Sequence, residues 1–301
     1  MRSPALFLVS AAALATGFWA DATAQPHGID IPGATLDFEI RGSVDQENAA
    51  KLQRWVQQSA TQIVLAYGRF PVPAPRVVVI PSETSPWGDD SPVPFGRVTR
   101  SGGETVELYV NVERPLAELS SDWTATHEFS HLLLPRISWR QKWISEGFAS
   151  YYQNVLMARA GNYTTDQAIE KLTQGFGRGR GSRPELSMND AAREGVRGAR
   201  YKIYWSGAAI ALLADVQLRE RTGSTESLDT VLDRFQTCCL PSRRRWSGTE
   251  LFTKFDSLID EPVFMPLYRQ YADTAGFPDF ESALQSEVVR DDIFAVRTST
   301  H

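Results

Sequence analysis

The stretch His127-Glu128-Phe129-Ser130-His131 decides the fold of this 301-residue chain. Asp122 can cap a helix before it and Pro135 follows it, so residues 122–134 are predicted to be helical. Residues four apart share a helix face, and His127 and His131 can therefore direct both imidazoles at one metal ion. Glu128 can reach a water on the open side of that ion. The alternative is two histidines on an ordinary helix, but a chance match is rare in a chain with four histidines.

The third metal ligand is predicted from the next helix, because a catalytic zinc site needs three protein ligands and an open position. His27 and His301, the other two histidines, stand near the chain ends and are expected in mobile tails. Residues 143–152 read WISEGFASYY and contain Glu146. An antiparallel return after Pro135 would bring Glu146 beside His131. The alternative for Glu146 is a solvated glutamate on a helix face.

This order of motifs resembles the gluzincin metallopeptidases. The pattern His-Glu-x-x-His, then Trp-x-x-Glu-Gly-x-Ala-x-Tyr-Tyr, is similar to that of the aminopeptidase-N-type and glycyl-aminopeptidase-type families. Tyr204-Trp205-Ser206-Gly207-Ala208 resembles their Tyr-x-Lys-Gly-Ala helix. The resemblance implies a thermolysin-like α+β catalytic domain, in which a small mixed β-sheet lobe with an edge strand over the site precedes a mainly helical lobe.

The resemblance also implies a role for each site residue. One Zn²⁺ per chain would be held by His127, His131 and Glu146, with Glu128 as the general base. Tyr204 would donate a hydrogen bond to the oxyanion of the reaction, and the substrate would be a peptide or protein. Tyr201, one helical turn away, is the rival for that role, and Tyr204 could instead be an interior aromatic residue.

The sequence departs from the aminopeptidase-N pattern where that group anchors a free amine. Those enzymes carry Gly-x-Met-Glu-Asn on the edge strand, whereas residues 102–107 read GGETVE. Glu104 and Glu107 are candidates for binding a substrate amine. The more ordinary interpretation is that each is a solvent-facing strand residue. The family lysine beside the tyrosine is replaced by Ser206. The choice between aminopeptidase and endopeptidase activity therefore stays open.

The segment before the motif is predicted to be mixed α/β. Strands are predicted at residues 36–40 and 76–80, a helix at 45–66, and a hairpin from 95–99 and 105–112. The second hairpin strand alternates in hydrophobicity, and we predict it to be the edge that binds an extended peptide.

The segment after the motif is predicted to be helical. Helices are expected to start near Asp122, Gln141, Thr165, Tyr201, Ser227, Gly248, Val263 and Glu281. Residues 175–183 read GFGRGRGSR and are predicted to be a mobile surface connection, with a basic binding loop as the alternative.

The first 24 residues are predicted to be a secretory signal peptide. Arg2 precedes an apolar run over residues 5–20, and Ala22-Thr23-Ala24 supplies a small-residue cleavage site. An uncleaved membrane anchor is the alternative, although the run is short for a span. The predicted organisation is a signal peptide (1–24), an α/β lobe (25–114) and a helical lobe (115–301), the two lobes forming one catalytic domain. The expected location is periplasmic or secreted, with no stable membrane span after signal removal.

Composition limits the other function classes. The chain is 42% hydrophobic and 22% charged, as globular proteins are, and its formal net charge of −5 argues against nucleic-acid binding. Cys238 and Cys239 are adjacent, which predicts ordinary thiols or a strained local bridge; an intermolecular bridge is the alternative. The competing functions are a non-catalytic peptide- or protein-binding protein on the same scaffold and a zinc hydrolase with a non-peptide substrate.

Overall fold

The computed structural model describes residues 27–84 and 90–297 of the chain. The predicted signal peptide and His301 lie outside the described residues. His27, which was expected in a mobile tail, is instead the first residue of a β-strand. The predicted boundary between lobes at residue 114 stays a prediction.

A five-stranded mixed sheet forms the first part of the described chain. Its strands are β1 (His27–Ile31), β2 (Ala34–Ile40), β3 (Arg76–Pro81), β4 (Phe95–Thr99) and β5 (Thr105–Val110). Their spatial order is β1-β2-β3-β5-β4. The inner strands β2, β3 and β5 run parallel, and the outer strands β1 and β4 pair antiparallel with their neighbours.

The strand order corrects the predicted edge. The strand predicted at residues 105–112 is β5, which pairs with β3 on one side and β4 on the other. Its backbone therefore has no free edge, and β4 is the edge strand on this side of the sheet. Every second residue of β5 is fully buried, so the alternation shows that one face of the sheet is covered. It gives no information about whether the strand lies at an edge.

Helix α1 (Gln46–Val64), which the apolar spacing predicted, packs against the sheet. The Asp45 side chain caps it by accepting a hydrogen bond from the backbone N–H of Asn48 at 2.8 Å. Its buried face includes Leu52, Trp55 and Ile63, and the indole N–H of Trp55 donates to the carbonyl of Leu119 at 2.9 Å. That face joins the sheet to the helical part of the molecule.

The remaining described elements are helical. They are α2 (Leu116–Ser121), α3 (Thr124–Ser130), α4 (Lys142–Arg159), α5 (Thr165–Gly181), α6 (Met188–Glu194), α7 (Val196–Thr222), α8 (Leu228–Cys239), α9 (Gly248–Asp256), α10 (Phe264–Tyr271) and α11 (Glu281–Gln285). Short 3₁₀ turns lie at His131–Leu133 and Trp139–Gln141, and a π-helical turn lies at Val289–Ile293. The sequence did not predict α2 and α6.

Segment 175–183 was predicted to be a mobile surface connection, and this prediction is wrong. Most of the segment forms the end of α5. A Cβ at Gly175 would overlap the Trp205 ring, and one at Gly179 would overlap Phe277. These glycines therefore let aromatic side chains of other elements pack directly against the helix backbone.

Helices α4 and α7 cross at two glycines. A Cβ at Gly147 would overlap the backbone of Gly207, and a Cβ at Gly207 would overlap the carbonyl oxygen of Trp143. The helices can approach this closely only without side chains at the crossing. Gly147 follows Glu146 and Gly207 comes three residues after Tyr204, so the crossing fixes those two side chains relative to each other.

Farther along, α4 and α7 share a buried ion network with α8. Arg159 of α4 pairs with Asp229 of α8 at 2.8 Å, and Arg219 of α7 pairs with Asp215 at 2.9 Å. Tyr151 donates to Asp215 at 2.7 Å. We call Tyr151, Tyr152, Arg159, Asp215, Arg219 and Asp229 the ion network; all six are buried.

Two further predictions concern the cysteines and the membrane. Cys238 and Cys239 are joined by a disulfide, which is the local bridge among the predicted alternatives. Over residues 27–84 and 90–297, no helix has the length and apolar character that a bilayer span requires.

Candidate metal centre

Helix α3 places the motif inside the molecule, beneath the edge strand. The Asp122 side chain accepts the backbone N–H of Thr124, the first residue of this helix, at 2.7 Å, but Trp123 occupies the N-cap position that was predicted for Asp122. The α-helix ends at Ser130 and a 3₁₀ turn continues through His131, which keeps His131 on the same side as His127. His127, Glu128 and His131 are exposed by only 3%, 8% and 9%.

Glu146 lies opposite the two histidines. Its Oε2 atom is 3.4 Å from Nε2 of His127 and 3.5 Å from Nε2 of His131. Two ligands bound about 2.0–2.1 Å from one tetrahedral zinc ion lie about 3.4 Å apart. The structure therefore brings together the three predicted ligands at the spacing that a shared ion requires.

Glu128 is the second carboxylate beside the histidines. Donor atoms of His127, Glu128 and His131 lie within 4.8 Å of one another. The Oε2 atom of Glu128 is 4.0 Å from Nε2 of His131, farther than a common tetrahedral ion allows. Glu146 is therefore the better third ligand, and Glu128 is placed to act on a molecule bound beside the ion.

Three further residues orient the ligands, and none of them was predicted from the sequence. The Nδ1 atom of His127 lies 3.1 Å from Oε1 of Gln153, and Nδ1 of His131 lies 3.0 Å from Oγ of Ser145. Such contacts leave both Nε2 atoms for a metal. Lys142 contacts the other oxygen of Glu146 at 3.0 Å.

The helical spacing of these residues was a usable signal. Lys142 and Gln153 stand four residues before and seven residues after Glu146, on the same face of α4. Once Glu146 is proposed as a ligand, polar residues at those offsets become candidates for contacts that support the metal ligands, Lys142 with Glu146 and Gln153 with His127.

Tyr204, and not Tyr201, lies at the centre. Its ring stacks on His127, with centroids 5.8 Å apart and planes 7° apart. Tyr201 lies farther out in the same cleft and is 42% exposed. Burial and the charges of Glu146 and Glu128 raise the pKa of Tyr204 well above its ordinary value. The hydroxyl of Tyr204 therefore keeps its proton at neutral pH and can donate a hydrogen bond.

The two glutamates differ in their electrostatics. Burial raises the pKa of Glu128, and the neighbouring histidines only partly oppose this. Burial also acts to raise the pKa of Glu146, but His131, His127 and Lys142 together lower it well below its ordinary value. Glu146 is thus held as a carboxylate, whereas Glu128 is the more basic of the two.

The edge strand approaches the centre at Gly96. A Cβ at Gly96 would overlap the side chain of Glu128, so β4 can lie this close only with a glycine there. Glu104 and Glu107 are absent from the lining of the cleft. Glu104 contacts Arg100 at 2.7 Å and Glu107 contacts Arg97 at 2.5 Å. The positions of Glu104 and Glu107 therefore do not support the hypothesis that either residue binds a substrate amine.

A cleft of about 740 Å³ opens beside His127. Its walls come from β4, α3, α4, α5 and α7, and they include Glu128, Tyr204 and Gly96. The volume lies in the range of sites that bind small molecules or peptide segments. The proposed general base Glu128 and the proposed hydrogen-bond donor Tyr204 therefore face one shared space.

The donor set suits zinc. Two imidazole nitrogens and one carboxylate oxygen are the ligands of a known class of catalytic zinc site, and that class leaves a fourth position open. Nδ1 contacts on both histidines complete the arrangement expected around such a metal. His127, His131 and Glu146 would hold the ion.

Comparisons with known proteins agree with this geometry. A family model for M61 glycyl aminopeptidases matches residues 135–209, which include Glu146 and Tyr204. No curated protein sequence matches the chain.

Two solved structures with the same fold illustrate the relation. An M1 zinc metallopeptidase from Deinococcus radiodurans has a TM-score of 0.52 and 14% identity, with 84% of this chain and 52% of that chain covered. An aminopeptidase N family protein from Idiomarina loihiensis has a TM-score of 0.51 and 12% identity, with 90% and 47% covered. This chain thus spans about half the length of each.

These matches confirm the predicted resemblance and the predicted α+β catalytic-domain fold. They also agree with the predicted enzyme class, a metal-dependent hydrolase, and with zinc as the predicted metal.

Proposed function

We propose that this chain is an exported zinc-dependent metallopeptidase that hydrolyses peptide bonds. One observation carries the proposal: Nε2 atoms of His127 and His131 converge on a single oxygen of Glu146, at 3.4 and 3.5 Å. Glu128 and Tyr204 line the cleft beside that point. Export rests on the N-terminal sequence, in which a basic start, an apolar run and Ala22-Thr23-Ala24 follow the pattern of a secretory signal.

The proposed chemistry divides between Glu128 and Tyr204. Zinc, when bound, acidifies a water molecule and polarises a carbonyl group. Glu128 accepts a proton from the attacking water and passes it to the leaving nitrogen, a role that its raised pKa favours. Tyr204 donates a hydrogen bond to the carbonyl oxygen as negative charge develops there.

We propose that an extended peptide binds along β4. This strand is the free edge beside the cleft, and its Gly96 lies against Glu128. Main-chain hydrogen bonds to an edge strand hold a peptide through its backbone and require no particular side-chain sequence. A peptide on β4 would therefore present a scissile bond near Glu128.

The test combines metal content with peptide hydrolysis in the wild type, three site variants and one control variant. We expect about one zinc per chain in the wild type, none in His127→Ala, and little in Glu146→Ala. Glu128→Gln should retain zinc and hydrolyse peptides about 10²–10⁴-fold more slowly, since it lacks the base. Glu287→Gln is a suitable control because Glu287 is exposed and lies away from the cleft.

Two outcomes would contradict the proposal. Hydrolysis by Glu128→Gln at the wild-type rate would exclude the mechanism. A wild-type protein that takes up no zinc after incubation with it would leave the non-catalytic binding protein as the better explanation.

A further inference from the structure

One wall of the cleft is basic. Lys171, Gln174 and Arg178 stand three and four residues apart on α5, so they share one face of that helix. All three side chains are exposed, and all three line the cavity that contains His127 and Glu128. Gln174 already donates to Glu170 at 2.9 Å, so the donors of this face that have no part in the proposed chemistry are Lys171 and Arg178.

The cations of this face are supported by aromatic rings. The guanidinium of Arg178 lies 5.3 Å from the ring centroid of Trp205 and 6.0 Å from that of Tyr201. The ammonium of Lys171 lies 4.6 Å from the ring centroid of Tyr163. Stacking holds a guanidinium in place and leaves its in-plane N–H groups for a ligand.

The two cations of this face have no close carboxylate partner in the described part of the chain. Over residues 27–84 and 90–297, no carboxylate lies within 4.0 Å of the charged groups of Arg178 or Lys171. By contrast, Arg180, two residues along the same helix, pairs with Glu281 at 2.5 Å and lies outside this cleft.

Apart from Glu128, the proposed general base, the acidic residues that line the cleft have other partners. Asp90 pairs with Arg114, and Asp122 accepts hydrogen bonds from Thr124 and Ser91. Strand β4, which approaches Glu128, carries no carboxylate between Phe95 and Thr99. The cleft thus offers a bound peptide cationic partners on α5 and no acidic residue on the edge strand.

We propose that the basic face of α5 is a carboxylate-binding subsite for the substrate, an inference that rests on the proposed function. Arg178 binds the carboxylate with its planar pair of N–H donors, and Lys171 adds a second positive charge. The carboxylate belongs to an acidic side chain or to the C-terminus of the peptide, and both sources present the same group.

The test uses four versions of one cleavable peptide. One position carries Glu or Gln, and each form has a free or an amidated C-terminus. Hydrolysis is measured with wild type, Arg178→Gln, Lys171→Gln and the matched control Arg180→Gln. We expect Arg178→Gln to lower kcat/KM about tenfold for peptides with the recognised carboxylate, chiefly through KM.

The same change should leave the Gln-containing, amidated peptide unaffected, and Arg180→Gln should alter none of the rates. Arg178→Lys, which keeps the charge and loses the planar donor pair, should fall between wild type and Arg178→Gln. If the effect of Arg178→Gln differs between the Glu and Gln peptides, the carboxylate belongs to the side chain. If it differs between the free and amidated peptides, the carboxylate belongs to the C-terminus.

Binding to the Glu128→Gln variant separates this inference from the proposed function. Suppose that peptide binding depends on the carboxylate and is weakened by Arg178→Gln, but that the wild type hydrolyses no peptide. This result would support the carboxylate subsite and overturn the proposed peptidase activity. Hydrolysis of all four peptides with equal kcat/KM, or an equal loss for all four in Arg178→Gln, would overturn the subsite alone.

Discussion

Helices α4 and α7 bury ionisable groups at two places, and the contrast between them separates structure from function. Near the crossing, Glu146 contacts His127 and His131 of the metal centre, and Tyr204 lines the cleft together with His127. Farther along, the ion network joins the same helices to α8, with each carboxylate contacting an arginine and a tyrosine.

Burial and altered pKa values are common to both places. The pKa of Tyr204 is raised well above its ordinary value, and so is that of Tyr151 in the network. Altered titration alone therefore does not mark a functional site. What distinguishes the cleft is a set of metal-ligand atoms converging on one point beside open space.

The largest expected effect is in the network. Asp229→Asn leaves Arg159 buried without its opposite charge, and we expect it to lower the free energy of unfolding by about 3–5 kcal/mol. Asp233→Asn, on the same helix, is the matched control, because Asp233 is 41% exposed and its pair with Arg69 is worth at most about 1 kcal/mol. Urea denaturation measures both; equal losses would refute the role given to the network.

The same variant has a pH dependence with a definite sign. Burial acts to raise the pKa of Asp229, but Arg159, Arg297 and Arg219 together lower it below 3.8. The stabilisation by the charged carboxylate is therefore present above that value and is lost as the pH falls through the folded-state pKa. The stability difference between wild type and Asp229→Asn should shrink below about pH 4.

The next effect compares two buried tyrosines. Tyr204→Phe should lower kcat about 10²–10³-fold with zinc content unchanged, because it removes a donor to the developing negative charge. Tyr152→Phe should leave kcat unchanged and lower stability, because the Tyr152 hydroxyl donates to Asp229 at 3.0 Å in the network. An unchanged rate in Tyr204→Phe would transfer the donor role to Tyr201.

The smallest effect concerns the crossing itself. Gly207→Ala places a methyl group against the carbonyl of Trp143, and we expect it to cost about 1–3 kcal/mol of stability. It should also lower kcat, since it moves Glu146 relative to Tyr204. Gly177→Ala is the control: its Cβ would meet nothing within 4 Å, and it should stabilise α5 by about 0.5–1 kcal/mol. Thermal denaturation and kcat are measured for both variants. Equal changes in Gly207→Ala and Gly177→Ala would show that the crossing has no special role.

The sequence predicted the parts of the centre that depend on helical spacing. Two histidines four residues apart could be recognised without knowing the fold, and Glu146 and Tyr204 followed from the motifs around them. The structure brings all of these residues together. Their catalytic and ligand roles stay predictions until the variants are measured.

The sequence could not identify the edge strand or the helix at residues 175–181, because both depend on distant partners. Strand β5 has an alternating pattern whether or not a neighbour pairs with its outer side. Gly175 and Gly179 are typical of loops when considered locally, yet Trp205 and Phe277 pack against them. Gly207 likewise gave no local indication of the backbone that it contacts.

The length of α4 has a consequence for engineering. About 20 Å of helix separates Glu146 from Arg159, at 1.5 Å per residue. Substitutions more than about 10 Å apart with no common partners usually have additive effects. Changes in specificity around Glu146 can therefore be combined with stabilising changes around Arg159 and optimised in separate libraries.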